Sequence, residues 1–173
     1  AGGDVKVRRV EPNVLTIVCH DLGRMLGCYE GNSAYTPHLD AMAAEGAVFD
    51  AHFACAPQGS PSRAGMFTGL HPNRNGLMGL SNEGIWHLDP SHANVPTVMR
   101  SLGYWPLQVG IFHLGAQPLN YGFEESLRPR APEEIAAATI EGLSRRPRDR
   151  RFFAAVGFFE AHRPFHPGDV PLL

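Results

Sequence analysis

Four short stretches hold the residue types from which a hydrolytic site could be built. His20-Asp21, His113 and His162 each close an apolar run, and the fourth stretch is Gln58-Gly59-Ser60-Pro61-Ser62-Arg63. Imidazoles hold or move a proton near neutral pH. Asp21 offers a carboxylate, and Arg63 a fixed positive fork that matches a tetrahedral oxyanion. Ser60-Pro61 marks a helix start: serine is a good N-cap, and proline has no N–H to leave unsatisfied in the first turn. Ala64 to Phe67 favour the helix and Gly69 can close it. The loop thus delivers residue 59 to a helix N-terminus, where free N–H groups and the dipole attract anions. Singly, each feature is a cap, a surface arginine or a histidine after a strand. Their recurrence in equivalent places is the signal.

That recurrence needs elements to position it. Pro12-Asn13 leads into Val14-Leu15-Thr16-Ile17-Val18-Cys19, a continuous β-rich apolar run that predicts a strand covered on both faces. Tyr104 to Gly110 and Phe152 to Phe159 also read as strands, with Pro106 either weakening the former or putting it near a sheet edge. Thr36-Pro37 marks a helix start, and helices are predicted over Leu39 to Glu45, stopped by Gly46, over Val95 to Leu102, stopped by Gly103, and over 132–143, with Pro132 at its start. Ala47 to Phe53 reads as a further extended segment, His71 to Asp89 as irregular chain, and Arg145 to Arg151 as a solvated connection. Alternating strands and helices predict an α/β fold, a largely parallel sheet flanked by helices. The strand C-termini, where open α/β sheets carry their sites, would then gather His20, His113 and His162.

The 173 residues are enough for one domain with a sizeable core, and the formal net charge is −2. No basic surplus suggests nucleic acid, and no apolar run approaches a membrane span. The first residues lack the apolar stretch of a signal peptide. Cys19, Cys28 and Cys55 fit neither a disulfide framework nor a zinc spacing, and Cys19 is expected to be buried. Lys6 is the only lysine among fifteen basic residues, so no catalytic lysine is present in this stretch.

Ser60-Pro61-Ser62-Arg63 with Thr68-Gly69 resembles the signature of the sulfatase family, Cys or Ser, then x-Pro-Ser-Arg, then Thr-Gly. In that family the first residue becomes formylglycine, whose hydrated aldehyde is the nucleophile. Here the position is Gly59; a modified residue written as glycine and an encoded glycine give the same letter. Val18-Cys19-His20-Asp21-Leu22-Gly23 resembles the first metal motif, with Asp21 matching its second aspartate and His20 standing in place of the first. Thr36-Pro37-His38-Leu39-Asp40 and Glu45-Gly46 match a family helix. Gly110-Ile111-Phe112-His113-Leu114-Gly115 matches Gly-Lys-Trp-His-Leu-Gly with isoleucine for lysine, and Ala161-His162-Arg163-Pro164 a later His-x-Pro motif. The matches run in order from about Pro12 to Phe165, and several are similar to the sulfamidase-like branch.

The resemblance implies the alkaline-phosphatase-like fold, with residues 1–173 as the N-terminal part of a longer catalytic domain. It implies a sulfate ester or sulfamate as substrate, a small sulfated molecule with sugars among the candidates. It assigns Gly59, Arg63, His113 and His162 to catalysis, and Asp21, His20 and Gly59 to a divalent metal, calcium. A hard cation wants oxygen, so Asp21 fits, whereas an imidazole suits softer metals. Either His20 turns aside or the metal has changed. A formylglycine-generating enzyme is implied as partner if residue 59 is modified. The alternatives are an inactive sulfatase-like binding protein and a phosphonate or phosphodiester hydrolase of the same superfamily.

Overall fold

The computed structural model describes residues 11–30, 34–81, 85–115 and 117–163. Four strands form one parallel sheet: β1 (Val14–Cys19), β2 (Trp105–Gly110), β3 (Glu125–Leu127) and β4 (Phe152–Phe158), in the order β1-β4-β2-β3. The helices are α1 (Pro37–Glu45), α2 (Gly59–Thr68), α3 (Pro72–Asn75), α4 (Val95–Ser101) and α5 (Pro132–Arg145). The expected α/β class and parallel sheet are what the chain forms. β1 and β4 are neighbours in register from Val14 opposite Phe153 to Cys19 opposite Phe158, so His20 and His162 leave the same edge.

Both faces of β4 are buried, as its nearly all-apolar sequence requires. Phe153 and Ala155 face one core with Ala64, Phe67, Leu77, Phe112, Tyr121 and Phe123. Ala154 and Val156 face the other with Trp105, Leu107, Val109 and Ile135 of α5. Alternation along one strand thus serves two layers. Gly142 lets α5 lie close to the sheet, since a Cβ there would sit 3.0 Å from Cδ2 of Leu107.

Several expectations change. β1 is not covered on both faces: it pairs with β4 alone among the described residues, and Leu15 and Ile17 remain 48% and 51% exposed. Pro106 lies not on an edge strand but one strand in from it, because β2 sits between β4 and the outer strand β3. Its carbonyl accepts from Glu124 N–H on the β3 side, so its ring nitrogen also faces that side, ahead of the first β2–β3 pair at Leu107 and Glu125. The missing donor is therefore not needed. Ala47 to Phe53 forms no strand and is exposed, with no paired neighbour to supply a ladder. Within His71–Asp89 the short α3 appears, closed by Gly76 at φ +82°. Cys19 is only partly buried, since β1 lies at the sheet's edge.

The basic run after α5 is a staple rather than a merely solvated connection. The Arg150 guanidinium donates to both carboxylate oxygens of Glu124 at 2.8 Å, to Gly103 O at 3.1 Å, and to Tyr104 O. It ties the start of β4 to the turn before β2. Arg145 bridges Glu141 and Glu125, each at 2.6 Å.

Candidate active site

The helix that carries the Pro-Ser-Arg motif begins earlier than its sequence suggests. Gln58 is the N-cap of α2 and Gly59 its first residue, while Ser60 is buried inside the first turn. Ser60 cannot serve as the cap because its hydroxyl is engaged elsewhere, accepting from Ser81 N–H at 3.1 Å. Gly69 closes the helix at φ +68°, its N–H bonded to Gly65 O. Cys55 packs beside Gly65, with its Sγ near the carbonyls of Pro61 and Ser62, and so belongs to the support of this helix.

One turn into α2, Arg63 is 5% exposed and its Nη2 has no hydrogen-bond partner. Burial lowers its pKa to about 10, which leaves it charged at neutral pH. A buried guanidinium with an unpartnered nitrogen is costly to hold unless an anion joins it.

Three imidazoles meet at the sheet edge. His20 stacks on His162 with ring centroids 4.8 Å apart, and His113 meets His20 edge-on at 5.8 Å. Phe159 closes against both His20 and His162. Backbone ties hold the group: His20 N–H lies 3.0 Å from Glu160 O and 3.2 Å from Phe158 O, while His162 N–H donates to Phe159 O at 3.0 Å. Asp21 touches two of the rings, at 3.4 Å from His20 Nδ1 and 3.9 Å from His162 Nε2. Asp21 and His113 both adopt left-handed backbone, φ +57° and +55°. Such geometry costs on the order of 1–2 kcal/mol for a residue with a Cβ, and it concentrates at functional sites.

The electrostatics follow from burial beside a cation. His113 is pushed down to about 4 by desolvation first, then by Arg63, His20 and His162, so it is neutral at pH 7. Its Nδ1 is buried without a partner. His20 is lowered as well, mainly by burial, against the opposing pull of Asp21. The cluster can therefore donate or accept hydrogen bonds around an anion without holding several positive charges before it arrives.

Of the residues singled out in the sequence, Gly59, His20, Asp21, His113 and His162 come together, with the Arg63 charge bearing on His20 and His113. His20 faces Gly59, because a Cβ built on Gly59 would lie 2.6 Å from His20 Cε1. His113 and His162 border a cleft of about 1430 Å3, which Ile111 also lines. Sequence reasoning missed Trp86, Phe159, Arg128 and Arg130 on this cleft. Only Phe159, at the end of an apolar run before His162, carried a positional hint.

The sulfatase family model matches residues 12–171. This chain belongs to the sulfatase family. Steryl-sulfatase of Mus musculus is 35% identical over 134 residues, which cover 67% of this chain and 22% of that protein. The chain therefore spans about a fifth of the length of that relative. A protein solved in complex with its substrate D-glucosamine-2-N,6-O-disulfate superposes with a TM-score of 0.80 at 23% identity, over 91% of this chain and 36% of the other. A phosphonate monoester hydrolase of Agrobacterium radiobacter gives 0.70 at 23% identity, over 89% and 42%. At that identity these two structures speak for the fold, which is the alkaline-phosphatase-like one.

Sulfatases as a family use a divalent metal. By themselves the described residues do not complete a calcium site, which takes six to eight oxygen ligands. Asp21 brings a single carboxylate to the cluster, and two imidazoles already lie against it. Among the described residues no group of three His, Cys, Asp or Glu side chains could hold a metal ion. No step below runs through a metal.

Proposed function

We propose that this chain is the N-terminal portion of a sulfatase-type hydrolase that cleaves a sulfate ester or a sulfamate. The observation that carries this reading is the buried Arg63, charged and unpartnered at Nη2, acting on a neutral His113 whose Nδ1 is also unpartnered. Together they are suited to a tetrahedral oxyanion. Position 59 is the nucleophile position; as formylglycine it would supply the attacking oxygen once His20 had turned aside. Arg63 offsets the negative charge of that residue and of the sulfuryl oxygens. His113 orients the group at 59 through a hydrogen bond. His162, at the cleft, donates a proton or hydrogen bond to the departing oxygen or nitrogen. Each well-placed donor of this kind is worth about 3 kcal/mol in the transition state. Isoleucine at 111 withholds one such donor, which slows the reaction without removing its basis. The sulfamidase-like features favour a sulfamate among the substrates, and a sulfated sugar is in keeping with the aromatic and polar cleft.

A second reading is favoured by one specific contact. With Gly59 encoded and His20 against it, the same cluster would bind a sulfated ligand without turning it over. The full-length protein decides between them by peptide mass across residue 59, hydrazide reactivity and hydrolysis of 4-nitrophenyl sulfate. An aldehyde with turnover supports the hydrolase and implies a formylglycine-generating enzyme. Plain glycine without turnover, with sulfate still bound, replaces it by the binding protein. Faster cleavage of phenylphosphonate than of the sulfate ester would instead make the chain a phosphonate hydrolase. Calcium, the ion given by the resemblance, has Asp21 as its available oxygen donor here, and elemental analysis of wild type and Asp21→Ala tests that assignment.

A further inference from the structure

His113 presents its ring to His20 from left-handed backbone, φ +55°, with Nδ1 unpartnered. A residue with a Cβ keeps such a conformation only where its surroundings over-determine it. The residues on either side of His113 show what does so. Phe112 and Leu114 are both buried, and both meet Tyr121, the last residue of a short 3-10 turn over Pro118–Tyr121.

Phe112 packs its ring against that of Tyr121, with centroids 5.1 Å apart. The Tyr121 hydroxyl donates to Leu88 O at 2.7 Å and lies 3.2 Å from Leu114 O. Leu114 O in turn accepts from Leu88 N–H at 2.8 Å, so one hydroxyl closes a knot between the residue after His113 and a distant segment. Tyr121 is itself buried, where bulk water does not compete for these carbonyls. The approach has a steric condition as well: a Cβ on Gly115 would run into the hydroxyl oxygen. Behind the tyrosine stands α4. Thr97 Oγ1 lies 3.3 Å from Tyr121 O, and Gly122, at φ +95°, sits so near Thr97 that a Cβ would come within 2.7 Å of its nitrogen.

We propose that Tyr121 is the positioning residue of His113: its ring and hydroxyl grip the residues on either side and aim the imidazole at the anion that Arg63 awaits. The proposal rests on the sulfatase reading of Arg63 and His113. It also gives Gly115 a purpose, which is to leave the hydroxyl its volume.

The test uses the full-length protein and Tyr121→Phe, which keeps the ring and removes the hydroxyl. Inorganic sulfate is titrated by calorimetry. Histidine-selective isotope labelling follows the Cα and Cβ chemical shifts of His113, which report its left-handed backbone and are assigned by their loss in His113→Gln. In Tyr121→Phe these shifts should move, and sulfate should bind about tenfold more weakly, the weight of one hydrogen bond. Gly115→Ala should do the same by displacing the hydroxyl. The double variant should bind no more weakly than either single one, since both break one contact. Arg150→Ala, which loosens the fold elsewhere, should leave shifts and affinity as they are. Unchanged shifts or unchanged affinity in Tyr121→Phe, or the same changes in Arg150→Ala, would overturn the positioning role. Sulfate binding indifferent to Arg63→Met would overturn the sulfatase reading instead, and the His113 shifts would then judge the clamp by themselves.

Discussion

Gly59 and His20 compete for one volume. The ring of His20 lies where a side chain at position 59 would begin, with Cε1 2.6 Å from an ideal Cβ. The ring is held there by stacking on His162 and edge-on contacts with His113 and Phe159, so a side chain at position 59 has to displace it from those partners. Position 59, where the resemblance places the nucleophile, and His20, where it places a metal-binding aspartate, are therefore one structural feature.

A sign reversal tests this coupling. Glycine in a helix is unfavourable, so Gly59→Ala with room available should stabilise the fold by about 0.4–1 kcal/mol. Against the wild-type His20 it should instead destabilise by roughly 1–3 kcal/mol, the usual cost of overpacking. In a His20→Ala background the gain should return. Urea denaturation of the two single variants and the double variant measures it, and strictly additive values would refute the contact.

Arg63→Met separates binding from folding. Replacing a buried guanidinium by an apolar chain of similar length is often neutral or stabilising. The variant should keep or raise its urea midpoint while sulfate affinity falls at least a hundredfold. A large loss of stability with binding retained would show that Arg63 is a structural residue.

The depressed pKa of His113 has a consequence for stability. Its ordinary value is 6.5 and its value in the fold about 4, so between these pH values the unfolded chain binds the extra proton. Stability rises with pH wherever the unfolded state binds more protons. The His113 contribution is thus complete above pH 6.5 and is lost as pH falls toward 4. His113→Gln should lack this part of the dependence. The difference between wild-type and variant stability should therefore change across that window and stay level above it; a constant difference throughout would exclude the assignment.

Arg150→Ala should destabilise the fold by about 1–3 kcal/mol, because it leaves the Glu124 carboxylate to Arg100 alone, at 3.5 Å, and takes a donor from two carbonyls. Arg150→Lys should recover only part of the loss, since an ammonium cannot reproduce the paired fork. Equal stability of the lysine variant and wild type, read from urea midpoints, would show that charge alone is at work.

The sequence by itself determined β1, β2 and β4, the helices α1, α2, α4 and α5, and the edge on which the histidines gather. Apolar runs of strand length, proline and glycine punctuation, and the recurring position of His20, His113 and His162 are local properties that survive without knowledge of the fold. Their local character also explains the misreadings: the covering of β1 and the central place of Pro106 depend on strand order, which no single run encodes. Arg150 looked like one more charge in a basic run, because its partners Glu124 and Tyr104 lie far away along the chain. The Gly59–His20 contact, the unpartnered Nη2 of Arg63 and the arrival of Arg128 and Arg130 at the cleft are likewise meetings of distant segments. Only the tertiary structure decided these, because excluded volume and desolvation act between neighbours in space, whatever their separation in sequence.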